Sequence, residues 1–187
     1  MTAAPRHGAS RVLLDANVLF PTVLREILIG VAETGAYRPV WSPRILEEWA
    51  RATRRLRDGA EAIARAEIAI LRDEWPRAEV TPTDELIAGI TLPDPDDAHV
   101  LAAAIAGGAD TLLTLNRADF PNRLLAPYGV IPRDPDGFLT ELAEARADVA
   151  QVLEAVRART EAIAGRRIEL RPLLKRAGLP RLGRLLG

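Results

Sequence analysis

An uninterrupted apolar run at the head of "RVLLDANVLF" predicts a buried strand that stops at a polar turn over Asp15 to Asn17. The following "VLREILIGVAETG" has helical character and a stop signal at Gly35, and "YRPVW" is a second short strand. In "SPRILEEWARATRRLR", Ser42 as N-cap and Pro43 at the first helical position mark a helix start. Residues 60–75 predict another helix, "TPTDELIAG" carries turn and cap chemistry, and "DPDDAHVLAAAIAGG" is a helix closed by Gly107 and Gly108. "ADTLLTLN" and "GVIP" supply the remaining strands. Strands alternating with helices predict an α/β fold with a mostly parallel sheet covered on both faces. Such sheets carry their sites beyond the carboxyl ends of the strands.

From Asp136 the pattern changes. Phe138, Leu142, Ala145, Val149, Val152, Val156 and Ile163 recur at spacings of three, four and seven, which predicts one long amphipathic helix. The final "GRRIELRPLLKRAGLPRLGRLLG" is basic, leucine-rich and interrupted by Pro and Gly. Residues 10–135 are therefore expected to form the α/β domain and residues 136–187 a C-terminal helical extension. That extension either docks on the domain or offers a dimer or partner surface.

Composition narrows the function classes. Hydrophobic residues make up 48% of the 187-residue chain, enough for one domain with a sizeable core. The 25 basic and 26 acidic side chains leave a net charge of -1, so gross charge carries no nucleic-acid or membrane footprint. The absence of cysteine excludes a disulfide scaffold and thiolate chemistry. "MTAAPRHGAS" lacks the apolar centre of a signal peptide, and no apolar run approaches the roughly 18 to 20 residues of a membrane span. A soluble, cytoplasmic protein is expected, with no membrane partner.

"LPDPDDAHVLAA" places three aspartates in four positions at a helix start. Capping explains Asp94, and Asp96 gains from the free N–H groups of the first turn. Asp97 is different: at about 100° per residue it shares the apolar face of Val100, Leu101 and Ala104. An inward carboxylate needs a cation or donors. Lys175 is the only lysine and lies in the tail, so a divalent metal held by several carboxylates is the alternative. Asp15, at the end of the first strand, is the second candidate. On the helix after Ser42 the apolar stripe is Ile45, Leu46, Trp49, Ala52 and Leu56; Glu48 lies roughly 100° from its centre and Glu47 roughly 160°, so Glu48 is the one that reaches a rim site. "TLLTLNRADF" adds Thr114, Asn116 and Asp119 just beyond a strand end. Neither His7 nor His99 forms a recognisable constellation, and Trp41, Trp49 and Trp75 read as packing residues.

"VLLDANVLF", "SPRILEEW", "DPDDAHVLAAAIAGGADTLLTLNRADF" and "GVIPRDPDGFL", taken in this order, resemble the PIN-domain proteins, among them the VapC-like toxin ribonucleases. The resemblance covers roughly residues 11–140. It implies a three-layer α/β/α fold, one or two Mg²⁺ or Mn²⁺ ions, and hydrolysis of RNA to 5′-phosphate and 3′-hydroxyl ends. It puts the first family acid on Asp15, the helix glutamate on Glu48 and the third acid on Asp97, and Asn17 matches the polar residue two positions after the first acid. The fourth position, commonly an aspartate, is Asn116 here, with Asp119 next along; this departure bears on a second metal more than on activity.

In that reading Asp15 and Asp97 ligate metal, Glu48 ligates or orients the attacking water, and Asn116 or Asp119 supports a second ion. Asn17, Asp96 and Thr114 stand behind the ligands. A metal reverses the field of clustered carboxylates and polarises the phosphoryl group. Arg51, Arg54, Arg55 and Arg57 form one basic cluster for RNA phosphates, and Arg166, Arg167, Arg171, Lys175, Arg176, Arg181 and Arg184 a second. An antitoxin protein and a homodimer are the further partners considered. Haloacid-dehalogenase-like phosphatases and response-regulator receivers also gather acids at strand ends, but both need a lysine at the phosphoryl site. A catalytically degenerate PIN-like module that binds RNA or protein is the main alternative.

Overall fold

The structure is a computed structural model that describes residues 10–187; His7 lies outside the described residues. The chain runs β1 (Arg11–Leu14), α1 (Ala16–Leu19), α2 (Thr22–Glu33), β2 (Arg38–Val40), α3 (Pro43–Ala52), α4 (Ala60–Glu74) and α5 (Asp84–Ala88). It continues through α6 (Ala98–Ala106), β3 (Thr111–Leu113), α7 (Asn122–Leu125), β4 (Ile131–Arg133), α8 (Pro135–Ala145), α9 (Asp148–Ala164), α10 (Leu170–Arg176) and α11 (Pro180–Leu186). The four strands form one sheet in the order β2-β1-β3-β4, and every pair is parallel. Leu13 of β1 lies opposite Val40 of β2 and Leu112 of β3.

The chain passes from β1 to β2 through α2 and returns across β1 to β3 through α3 to α6; because parallel crossovers are right-handed, these two connections cover opposite faces of the sheet. The result is the three-layer α/β/α arrangement. Helices on both faces explain why the strands are apolar without alternation: Val12, Leu13, Leu14, Leu112 and Leu113 are all fully buried.

Local signals set several boundaries. Ser42 Oγ accepts the Ile45 N–H at 3.2 Å, and Pro43 occupies the first turn of α3. The helix ends at Ala52 rather than continuing through Arg57. There the Thr53 hydroxyl donates to the Ala50 carbonyl at 2.6 Å and the chain tightens into a 3₁₀ turn over Thr53–Arg55.

The long helix expected from Asp136 is two helices. Arg146 is extended, at φ -141° and ψ 116°. Its guanidinium donates to the Thr34 carbonyl at 3.1 Å and pairs with Asp148 at 2.6 Å, which tears the stripe apart and lays α9 across α2. Gly30 permits that approach, since a Cβ there would lie 2.7 Å from Val152 Cγ1. Beyond Val156 the stripe leaves the core, and Ile163 is 82% exposed. The α10–α11 hairpin packs on α8, where the buried Asp136 carboxylate accepts the N–H groups of Arg181 at 2.9 Å and Leu182 at 3.0 Å. Leu139, Val149, Leu153, Leu174, Leu179 and Leu182 join the same buried cluster as the sheet. Among the described residues no helix is long and apolar enough to cross a membrane.

Candidate active site

In the strand order, β1 connects outward to β2 and β3 connects outward to β4, so the chain diverges between the two central strands. A crevice at such a point, beyond the carboxyl ends, is where open parallel sheets place ligands. Asp15 follows β1 directly and Thr114 follows β3 directly.

Asp15 is only 6% exposed. One oxygen accepts the Ala16 N–H at 2.7 Å, as N-cap of α1. The other accepts Asn17 Nδ2 at 2.7 Å and the Thr114 hydroxyl at 2.8 Å. Asn17 Oδ1 accepts the Leu115 N–H at 3.0 Å, which ties the turn after β1 to the turn after β3. Thr114, fully buried, also receives the Asn116 N–H at 3.0 Å. Burial pushes the Asp15 carboxyl up; the bonds from Thr114 and Ala16 oppose that, and the charge of Glu48 adds to it.

Asp94 does the capping at the next helix: its side chain accepts the Asp96 N–H at 2.9 Å, and Pro95 follows in the first turn. Asp97 precedes α6 and makes no cap bond with its side chain. It is partly buried, and burial, then the negative charges of Asp15, Asp94 and Asp119, push its carboxyl up to about 6. The Asp96 side chain is exposed; its backbone carbonyl accepts Arg44 Nη2 at 3.4 Å.

Glu48 projects from α3, with Oε1 accepting His99 Nε2 at 2.9 Å and Arg44 Nε at 3.2 Å. Burial works to raise this carboxyl, but His99 and Arg44 outweigh it and hold the group below the usual carboxylate range. Asn116 donates its side-chain amide to Asp119, so an amide and an acid are held together in the turn after β3.

Asp15, Asn17, Glu48, Asp97, Thr114, Asn116 and Asp119 thus gather at one end of the sheet, where the charge of Glu48 acts on Asp15 and the charges of Asp15 and Asp119 act on Asp97. The packing is open: among the described residues no three His, Asp or Glu side chains stand close enough to cage a metal ion. The donors still fit a hard divalent cation. They are oxygens, their mutual repulsion lacks a lysine to relieve it, and Mg²⁺ is ordinarily held by one or two carboxylates with water completing its shell.

The basic cluster beside α3 is largely cancelled. Arg51 pairs with Glu47 at 2.7 Å, Arg54 pairs with Glu61, and Arg65 joins both acids at 2.9 and 2.6 Å. Arg55 forms no salt bridge among the described residues and is exposed. Two partners of Glu48, and one buried arginine away from it, escape a reading from sequence. Arg44 carried no signal beyond its position four residues before Glu48. His99 lay in an apolar helix with no visible partner. Arg25 is buried, donating to the Leu19 carbonyl at 2.6 Å and to Glu67 at 2.6 Å while stacking 4.5 Å from the Trp49 ring.

No curated protein and no solved structure matches the chain. A family model described as the PIN domain matches residues 11–118, which spans β1 with Asp15, α3 with Glu48, α6 with Asp97 before it, and the turn holding Asn116. The chain belongs to the PIN-domain family.

Proposed function

We propose that this chain is a Mg²⁺- or Mn²⁺-dependent endoribonuclease acting as the toxin of a VapC-like toxin–antitoxin pair in the cytoplasm. Membership of the PIN family brings nuclease-type chemistry and nucleic acid as the ligand class. The observation that supports the metal is the gathering of Asp15, Asp97 and Asp119 near enough to act on one another's charge, while Arg44 and His99 are engaged by Glu48 and Asp97 has no basic side chain paired with it among the described residues.

Asp15 and Asp97 would hold the ion, with Glu48 binding it or orienting the water that attacks. Thr114 and Asn17 fix Asp15 by occupying one of its oxygens. Asn116 and Asp119 form the further polar edge, facing a second ion or the substrate. The bound ion supplies charge stabilisation for the phosphoryl group and lowers the pKa of a water. Arg55 and the tail arginines bind RNA phosphates; the antitoxin and a second copy of the chain are the protein partners.

The test is cleavage of a panel of structured and unstructured RNAs, with Mn²⁺ and with chelator. Asp15→Asn and Asp97→Ala should each lower activity at least roughly 100-fold, the scale expected when a metal's direct ligands are removed. Cleavage that persists in chelator would count against the metal. The open packing of the acids and the amide at Asn116 favour a second reading, a binding module without turnover. In that case the wild type would bind RNA without cutting any, and Asp15→Asn would leave the affinity unchanged.

A further inference from the structure

His99 belongs to a stretch of α6, Ala98 to Ala104, in which every other side chain is apolar and buried. It is itself 2% exposed. Its Nε2 lies 2.9 Å from Glu48 Oε1, while Nδ1 is buried without a hydrogen-bond partner. An aliphatic side chain would fill this volume and strand no polar atom, so packing does not account for an imidazole here. The other group on Glu48, Arg44, is itself exposed, and exposed pairs hold a flexible carboxylate weakly. The rigid contact is the one from α6, the helix that also carries Asp97 at its start.

We propose that His99 is the positioning residue of the acid site. Through Nε2 it fixes Glu48 Oε1 and so presents the second oxygen to a divalent ion or to that ion's water. One rigid helix then sets both Asp97 and Glu48. This inference rests on the metal-dependent reading above.

Mn²⁺ binding to the full chain, read from the spectroscopic signal of free Mn²⁺, tests it in wild type, His99→Leu and His99→Gln, with thermal melts in the absence of metal. His99→Leu should bind Mn²⁺ roughly 10- to 100-fold more weakly, the usual consequence of losing a partner behind a ligand, and His99→Gln, whose amide N–H also reaches Glu48, should stay within about threefold of wild type. His99→Leu should melt within a few degrees of the wild type, because losing the stranded Nδ1 offsets losing the Nε2 contact to Glu48. The cleavage rate of His99→Leu should recover as Mn²⁺ is raised.

Wild-type Mn²⁺ affinity in His99→Leu overturns the inference alone. So does a joint loss of Mn²⁺ binding and melting temperature in both variants, which would make the imidazole structural. A wild type that binds no Mn²⁺ overturns the metal reading and this inference with it.

Discussion

Asp97 carries a charge that the helix start does not need, because Asp94 already caps that turn. Its folded-state value, about 6, lies above the ordinary 3.8. The native protein therefore binds this proton more tightly than the unfolded chain does. The stability Asp97 contributes is fully present below about pH 4 and is lost as pH rises through about 6. In metal-free protein, Asp97→Asn should melt above the wild type near pH 7, and the gap should close as pH falls toward 4. Thermal melts across that window check the sign. Glu47 and Glu61, held down to about 2 by their arginines, titrate alike in both proteins, so the difference reports Asp97 together with its coupling to Asp15 and Asp119. Mn²⁺ affinity should rise through the same window, since the proton and the cation compete for one carboxylate.

Elements whose signals are local were legible from sequence. The apolar run of β1, the Ser42–Pro43 start of α3 and the Asp94–Pro95 start before α6 each depend on residues within a few positions of one another. Asp15, Glu48 and Asp97 could be singled out because each disturbs such a pattern. Contacts between distant segments were not legible. The break between α8 and α9 depends on Arg146 reaching Thr34, 112 positions earlier. His99 looked inert because its partner sits on another helix. Asp136 read as the start of an amphipathic stripe, yet its carboxylate is the cap of α11, 45 positions later. Asp136→Ala should therefore cost about 2 kcal/mol in urea unfolding, the order expected when N–H groups lose a charged acceptor. It should leave Mn²⁺ affinity unchanged, which separates this acid from those beyond the strands.

Across the whole molecule, a net charge of -1 conceals an uneven distribution. Beside α3 and α4 the arginines alternate with Glu47 and Glu61 and are neutralised by them. At the far end of α9, Arg166, Arg167, Arg171 and Arg176 border the cleft against α10, and none of the four forms a salt bridge among the described residues. An arginine already paired with a carboxylate releases few counterions when it meets a phosphate, whereas an unpaired one contributes in full. The helices of residues 135–187 share the core of the sheet, so this basic edge is carried rigidly by the domain that holds the acids. Replacing all four by Gln should weaken single-stranded RNA binding and make the slope of log affinity against log salt shallower by up to roughly 3, at about 0.7 for each phosphate contact. Replacing Arg51 and Arg54 should change that slope much less. Filter binding of catalytically silent Asp15→Asn protein over a salt series measures both, and equal slopes for the two sets would place the RNA path beside α3 instead.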